Sequence, residues 1–281
     1  MLPYSPVTSA QRDLDRAIRA AIKQDDRIGH ALAYGSFTQG TADAFSDLEY
    51  FVFLPSAELA TFDVRRWLEA VAPVRHFFVN DFGTPNAVMD GLLRVELHAE
   101  PETALAGVES WPGFHIRPEA MLVKDRDGRL ARHLAALAAK GRPQPETEAQ
   151  PIHDRLLGWL VFGLNVLERG ERVRALELLG WVRAGLLRLA RLAEGKTGHW
   201  LTASRRAEWE LSGAALGRYA RLTGSLDELE RLYAEAWAWT QELAGQLPGV
   251  RGAAPELANA LGARVRRLDQ AAGQRALHCR P

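Results

Sequence analysis

The segment that decides the fold is AYGSFTQGTADAFSDLEYFVFL, residues 33–54, in which one apolar run ends at Gly35-Ser36 and ten residues separate Ser36 from Asp47 in a second run. Runs rich in branched and aromatic residues between Gly, Ser and Asp are typical of β-strands. Residues i and i+2 of a strand project from the same face. We therefore expect Asp47 and Glu49 to point the same way from one strand.

Two carboxylates held at one point repel each other unless a cation lies between them or one is protonated. Magnesium binds carboxylates together with substrate phosphates and neutralises charge on a triphosphate. Gly35 would let backbone N–H groups approach phosphate oxygens, and Ser36 adds a hydroxyl donor. The segment thus predicts a Mg²⁺-phosphate site with Asp47 and Glu49 as ligands. Taken alone, Gly35-Ser36 also suits an ordinary turn, and the acids suit a solvated edge strand.

A third carboxylate is expected from LLRVELHA, where Glu96 lies between Val95 and Leu97 on another predicted strand. Beside a metal, Glu96 would take a proton from an attacking hydroxyl as general base, or serve as a further ligand. The sequence does not separate these roles. Other acids near this strand compete for the position: Asp81, Asp90 and Glu100.

The residues two positions to either side of Glu96 share its strand face. They are Arg94 and His98. We expect them to contact phosphate or an acceptor, that is, to bind substrate. The alternatives are a structural ion pair for Arg94 and a hydrogen-bonded structural histidine for His98.

The first part of the chain alternates strand and helix patterns. Strands of one sheet are predicted at IGHALAYG, DLEYFVFL, VRHFFVN, NAVMD and LLRVELHA. Helices are predicted near residues 8–23, 63–71, 101–107 and 129–139. These elements form a first domain over residues 1–140.

The segment GRPQPETEAQP holds three prolines and no apolar period, which indicates a domain boundary. Beyond it the strand patterns disappear. A stripe from Ile152 to Leu167 and helical stretches near 173–193, 204–220 and 226–246 predict an all-α bundle over residues 151–250. The Ala- and Arg-rich residues 251–281 are expected to be one helix or partly disordered. The fold class is therefore α+β, a mixed unit followed by a helical bundle.

Bulk properties limit the partners. The 281 residues carry 35 basic and 35 acidic side chains, and this balance disfavours a nucleic-acid polymer and an anionic membrane. The single cysteine, Cys279, excludes an intrachain disulfide framework and fits a reducing cytosol. Without a signal-like N-terminus or a long uncharged apolar run, we expect a cytoplasmic protein that does not span a membrane.

The Gly-Ser turn, the Asp-x-Glu strand and the later Glu resemble the signature of the DNA-polymerase-β-like nucleotidyltransferases. A closer resemblance is to the lincosamide nucleotidyltransferases, over roughly residues 10–245. It is carried by YGSFTQGTADAFSDLEYFVFL, FDVRRWLEAVAP, LLRVELH, GLNVLERGERVRALELL and HWLTAS.

This resemblance implies an N-terminal mixed sheet, a C-terminal helical bundle and an active site in the cleft between them. It implies transfer of a nucleotide from a triphosphate such as ATP to a hydroxyl of a lincosamide antibiotic, with loss of pyrophosphate, and a homodimer. The family pattern is not matched after about residue 250.

The helical half contributes further candidates toward that cleft. We expect triphosphate contacts from an arginine cluster and a tyrosine, and an acceptor contact from an asparagine. They are Arg169, Arg172, Arg174, Tyr219 and Asn165. The alternative for the arginines is a solvated helix end, which cations favour. EGKTG, residues 194–198, follows a predicted helix and lacks the first P-loop glycine, so it is expected to be a loop.

Three alternatives stay open at this point. An aminoglycoside acceptor would need a markedly acidic pocket, and Glu100, Glu102 and Glu109 follow the catalytic strand. A protein partner, as in antitoxin-like nucleotidyltransferases, is less favoured because those enzymes usually lack a long helical domain. A nucleotide-binding module without catalysis is disfavoured by the presence of all three carboxylates.

Overall fold

A computed structural model describes residues 5–141 and 144–278. The chain divides into two compact units, Met1–Pro143 and Gln144–Pro281. The first is a mixed sheet with helices and the second is helical, so the predicted α+β class is confirmed. Cys279 lies outside the described residues.

The first unit is built on a six-stranded sheet. Its strands are β1 (His30–Tyr34), β2 (Leu48–Leu54), β3 (Val74–Val79), β4 (Pro85–Met89), β5 (Arg94–Pro101) and β6 (Leu122–Asp125). Their order is β3-β4-β5-β2-β1-β6. The β2–β5 pair is parallel and the other neighbours are antiparallel, so the sheet is mixed. The sequence did not predict β6.

Helices cover both faces of this sheet. They are α1 (Ser9–Gln24), α2 (Ser36–Gln39), α3 (Ser56–Leu59), α4 (Val64–Val71), α5 (Pro118–Met121) and α6 (Arg129–Ala139). Thr8 caps α1 through a capping box with Gln11, which satisfies two otherwise unbonded groups at the helix start. The apolar stripe of α1 is buried through Leu14, Ile18 and Ile22.

The alternation of β2 directs its side chains into two separate cores. Leu48, Tyr50 and Val52 belong to the core that includes α1 and α4. Phe51 and Phe53 face the other core, with α6 and the segment after β5. Because Glu49 has the same parity as Phe51, it lies on the second face.

One helix prediction in this unit has different bounds in the structure. A short helix was expected over residues 101–107, but β5 continues to Pro101 and a 3-10 helix follows over Glu102–Ser110. Leu105 and Val108 are its buried residues. Their spacing of three suits a helix with three residues per turn.

The second unit consists of helices. They are α7 (Ala149–Glu168), α8 (Arg172–Ala193), α9 (Ala207–Glu210), α10 (Gly213–Ala220), α11 (Leu229–Gln246) and α12 (Pro255–His278). The predicted stripe of α7 is buried, including Leu156, Leu160 and Leu164. Gly163 lets Tyr233 of α11 approach α7, since a Cβ there would lie 2.5 Å from the tyrosine ring.

Two expectations for this unit need correction or completion. A continuous helix over residues 204–220 was expected, but the chain turns at Leu211 and Ser212 between α9 and α10. The Ser212 hydroxyl accepts from the N–H of Ala215 and starts the second helix instead. The C-terminal extension forms the helix α12 within the described residues. No described helix has the length and apolar character required to cross a bilayer.

Candidate active site

Strand register brings the predicted carboxylates together. Glu49 of β2 lies opposite Tyr34 of β1 on one side and Glu96 of β5 on the other. Asp47 precedes β2 by one residue and has the same parity as Glu49. One carboxylate oxygen from each of Asp47, Glu49 and Glu96 lies within 4.8 Å of the others.

Gly35 is required by the position of Glu49. It has φ +76° and ψ −155°, a conformation essentially restricted to glycine. A Cβ on Gly35 would overlap the Glu49 carboxylate, whose Cδ would lie only 2.7 Å away. The absent side chain therefore gives the carboxylate its place next to the turn.

Ser36 follows this turn and is 5% exposed. Its Oγ is buried and has no hydrogen-bond partner among the described residues. A buried hydroxyl without a partner is unfavourable, because it has lost its water. The neighbouring Thr38, which the sequence did not single out, donates from Oγ1 to the Gly35 carbonyl over 2.9 Å and fixes the turn. Ser36 is thus placed to donate to a bound ligand.

Arg94 lies against the acidic cluster. Its Nη2 is 2.5 Å from Asp47 Oδ2 and 3.8 Å from Glu96 Oε2. Burial raises the pKa of the Glu96 carboxyl; the Arg94 charge opposes this shift and the Asp47 charge adds to it. The Arg94 charge therefore offsets only part of the effect of burial and of the Asp47 charge on Glu96.

His98 lies on the same strand face, with Nε2 3.4 Å from Glu96 Oε1. Burial lowers the pKa of His98 to about 4, so its ring is neutral at pH 7. The ring stacks on Phe51, with centroids 3.9 Å apart and planes inclined by 7°. His98 is consequently a neutral donor or acceptor beside the carboxylates.

Two further aromatic rings continue this surface. Trp111 lies 4.5 Å from Phe51 and 5.2 Å from Tyr34, measured between ring centroids. Burial, and then the charge of Glu49, raise the pKa of the Tyr34 hydroxyl. We name Tyr34, Phe51, His98 and Trp111 the aromatic wall. Sequence reasoning missed three of them: strand parity could have indicated Tyr34 and Phe51, but nothing local marks Trp111.

The arrangement fits a magnesium ion bound with a triphosphate. Carboxylate oxygens are the ligands that Mg²⁺ prefers, and it is commonly held by one or two carboxylates plus phosphates. Asp47, Glu49 and Glu96 offer such oxygens within a small space. The buried Ser36 hydroxyl provides an unused donor at the adjoining turn. The role of each residue as ligand, base or phosphate contact stays a prediction.

A second group with metal-ligand chemistry is formed by His30, Asp125 and Asp127. His30 Nδ1 is 2.8 Å from Asp125 Oδ1, and Arg129 already bonds both Asp127 and His30. Asp125 also accepts from the N–H of Ala131 in the first turn of α6. These contacts explain the group as an ion-pair network that caps α6.

The candidates in the helical unit have different local contacts. Arg172 is bonded to both carboxylate oxygens of Glu230, at 2.8 and 2.9 Å. Arg174 contacts Glu171 at 3.3 Å and lies over the ring of Phe162. The ion pair gives Arg172 a structural role between α8 and α11.

The three remaining candidates of this unit, Arg169, Asn165 and Tyr219, lie at different positions in or next to α7 and α10. Arg169 follows the last residue of α7, Asn165 lies within α7 and Tyr219 within α10. Asn165 and Tyr219 are half-buried and Arg169 is exposed. Nucleotide contacts from the arginines and Tyr219, and an acceptor contact from Asn165, remain predictions.

Comparisons with known proteins bear on the second half of the chain. Residues 147–250 match the family described as lincosamide nucleotidyltransferase-like, C-terminal domain. No curated protein matches the chain.

Two solved structures resemble the chain at low similarity. An aminoglycoside 6-adenyltransferase from Bacillus subtilis is 13% identical with a TM-score of 0.39, over 92% of this chain and 96% of that one. A nucleotidyltransferase-like protein from Exiguobacterium sibiricum 255-15 is also 13% identical with a TM-score of 0.38, over 94% and 91%.

Proposed function

We propose that this chain transfers a nucleoside monophosphate from a nucleoside triphosphate to a hydroxyl of a lincosamide antibiotic. The proposal starts from the match of residues 147–250 to the lincosamide nucleotidyltransferase-like C-terminal domain. The observation that carries the proposal is the cluster of Asp47, Glu49 and Glu96 beside the Gly35-Ser36 turn. It combines a place for a divalent cation with the buried Ser36 hydroxyl, which has no hydrogen-bond partner among the described residues.

The reaction forms one P–O bond and breaks another. The acceptor oxygen attacks the α-phosphorus in line while the bond to the departing pyrophosphate breaks. The acceptor proton passes to the Glu96 carboxylate, whose basicity is increased by burial. Glu96 is 16% exposed, so little water competes for that proton.

Other residues position the substrates. The Ser36 hydroxyl donates to a phosphate oxygen, and the Gly35 turn allows close approach of the backbone. Arg94 would exchange part of its contact with Asp47 for phosphate. A bound Mg²⁺ would supply neutralisation of triphosphate charge, with Asp47 and Glu49 as its ligands.

The acceptor class is inferred from charge and apolar surface near the cluster. Two of the three glutamates that follow Glu96 are occupied: Glu102 bonds Arg129 at 3.0 Å, and Glu109 lies 2.7 Å from a ring nitrogen of His133. The Arg129 cation offsets the Glu102 charge and the His133 ring occupies one Glu109 oxygen, so both carboxylates are less available to a polycationic aminoglycoside. The aromatic wall instead offers apolar contact, which favours a lincosamide.

The test is nucleotide transfer by the purified protein with Mg²⁺, a triphosphate labelled on the α-phosphate, and lincomycin or an aminoglycoside. We expect labelled lincomycin, identified by mass spectrometry. Label on the aminoglycoside alone would assign the alternative acceptor, and label on added proteins would assign the protein-modifying one. If none of the acceptors becomes labelled, the proposal that this protein is a nucleotidyltransferase is contradicted.

Glu96→Gln tests the proposed base. It should lower kcat by about 10²–10⁴-fold, the range typical of a lost general acid–base group, while triphosphate binding measured by calorimetry persists. Glu100→Gln is a matched control on the same strand face, outside the carboxylate cluster. If kcat falls equally in both variants, Glu96 is not the general base.

A further inference from the structure

A pocket of about 580 Å³ on the first unit adjoins the carboxylate cluster. It is lined by two short segments, residues 44–47 before β2 and residues 91–94, which end at the first residue of β5. Sites for small molecules typically measure about 300–1,000 Å³. The pocket therefore has the size of a drug-like ligand, and its lining includes Asp47.

Each segment places one large apolar side chain in solvent. Phe45 is 88% exposed and Leu92 is 87% exposed. Single exposed apolar residues are common on protein surfaces. Here two of them line one pocket beside a candidate reaction centre, and an apolar occupant would remove both from water.

Leu92 also has an unfavourable backbone conformation. Its φ is +60° and that of Gly91 is +70°. Turns with two successive positive φ values favour glycine, asparagine or aspartate, because a branched side chain is strained there. Leu92 thus has both a strained backbone and an exposed apolar side chain, and it is not part of either hydrophobic core of this unit. Strained residues of this kind cluster at ligand sites.

The backbone beneath Phe45 is held firmly. Its N–H donates to the Asp43 carboxylate over 2.9 Å. The amide of Gln11, a fully buried residue of α1, donates to the carbonyls of Asp43 at 3.0 Å and Ser46 at 2.8 Å. The structure therefore presents the phenylalanine on a fixed turn.

We propose that this pocket, the Phe45–Leu92 pocket, binds the apolar part of the acceptor and helps to select it. The inference rests on the proposed function. A small molecule is favoured as occupant because the lining includes Asp47, which has a carboxylate oxygen within 4.8 Å of a carboxylate oxygen of Glu96, the proposed base. The two charged residues of the lining, Asp47 and Arg94, have opposite signs, so the lining has no net charge and suits an uncharged apolar body.

Two substitutions test the pocket, and a third is the matched control. Leu92→Asn removes the apolar side chain but suits the positive φ, and Phe45→Ser removes the ring. Phe82→Ser removes another exposed phenylalanine, 93% exposed, from the β3–β4 turn outside the pocket. Lincomycin is the probe, with KM from turnover and Kd from calorimetry.

We expect Leu92→Asn and Phe45→Ser each to raise KM and Kd for lincomycin by about tenfold, as the loss of one apolar contact implies. KM for the triphosphate should not change. The melting temperature of Leu92→Asn should equal or exceed that of the parent, because the strain is relieved. Phe82→Ser should match the parent in all four quantities: both KM values, the Kd for lincomycin and the melting temperature.

Other outcomes overturn the inference in distinguishable ways. Turnover with unchanged KM and Kd for lincomycin in both variants would remove the pocket from acceptor binding and leave the proposed function intact. If the parent sediments as a dimer and the variants as monomers, with an unchanged Kd for lincomycin, the two side chains contact a second copy of the chain instead of the acceptor. A parent that neither binds nor modifies lincomycin would refute both proposals.

Discussion

Gly35 shows how a single residue sets the geometry of the candidate site. Its conformation is nearly forbidden to other residues, and the Glu49 carboxylate fills the space that a side chain would take. Backbone and carboxylate are thus fitted to each other. The two effects can be separated by substitution, because Gly83 has a similar positive φ of +81° with nothing within 4 Å of its Cβ position.

Gly35→Ala should abolish detectable transfer and lower the free energy of unfolding by about 1–3 kcal/mol, the range for a residue in a sparsely populated conformation. Denaturant unfolding and the transfer assay measure the two effects. Gly83→Ala introduces the same backbone strain without a clash like that between Gly35→Ala and Glu49. Its free energy of unfolding should therefore fall by about 1 kcal/mol, and it should keep full transfer activity. Normal transfer by Gly35→Ala would show that the Glu49 carboxylate need not lie at the turn.

At the scale of elements, Arg191 organises the segment after α8. It is fully buried and donates to the carbonyls of Ala203, Lys196 and Arg205 over 2.5–2.8 Å, and to the Glu210 carboxylate over 2.6 Å. One side chain thereby holds the turn after α8. Of residues 194–198, which were expected to be a loop, the first three lie in this turn and Thr197 and Gly198 begin a 3-10 helix over Thr197–Thr202.

Arg191→Met should destabilise the protein by about 3–5 kcal/mol, because it leaves the Glu210 carboxylate and several carbonyls without their donor. Circular dichroism during urea unfolding gives the value. Arg188→Met on the same helix is the control; its guanidinium lies 5.9 Å from the centre of the Trp200 ring, a contact worth about 0.5–1 kcal/mol. Similar losses for both variants would contradict the assigned role.

The attachment of α12 should depend on pH through Glu168. Arg264 and Arg267 of α12 contact this α7 carboxylate at 2.5 and 2.7 Å. The hydrogen bond from Arg264, with that from Arg267, holds the pKa of Glu168 below its ordinary value of 4.5. The pKa is lowered in the folded state, so the stabilisation is present above about pH 4.5 and is lost as pH falls through the folded pKa.

Hydrogen exchange of the α12 amides, corrected for intrinsic rates, tests this dependence. Protection should fall below pH 4.5 in the parent, whereas Glu168→Gln should show reduced protection that no longer changes in that range. Glu171→Gln, nearby and paired with Arg174 at 3.3 Å in an exposed position, should behave as the parent. If protection of the α12 amides still falls below pH 4.5 in Glu168→Gln, the pH dependence comes from other titratable groups.

At the scale of the whole molecule, the ligands of the candidate metal site come from distant parts of the sequence. Asp47 and Glu96 are separated by the α3–β4 region, and only the assembled sheet brings them together. Ion binding should therefore stabilise the folded chain as a whole, by RT ln(1 + [L]/Kd) when the unfolded chain does not bind.

Mg²⁺ with a non-hydrolysable triphosphate, at about a hundredfold excess over Kd, should stabilise the parent by about 2.7 kcal/mol. The shift should disappear with chelator and in the double variant Asp47→Asn/Glu49→Gln. Asp127→Asn, in the other carboxylate group, should keep the shift. If Asp127→Asn loses the stabilisation and the double variant keeps it, the ion binds at His30, Asp125 and Asp127 instead.

Much of the fold follows from local patterns. Apolar runs rich in branched and aromatic residues at 28–34 and 48–54 predicted β1 and β2, and the 3.6-residue stripe from Ile152 predicted α7. Segments with weak patterns were missed or misjudged: β6 has four residues and lies at a sheet edge, and the 3-10 helix over Glu102–Ser110 has a period of three.

For the candidate site, the sequence by itself determined which carboxylates share a strand face, since parity is a property of the chain alone. Only the tertiary structure decided that β2 and β5 are neighbours in register, that Glu102 and Glu109 are engaged by α6, and that Trp111 joins the aromatic wall. The physical reason is that these contacts join residues far apart in the chain. Their pairing depends on packing of the whole unit, which no local pattern encodes.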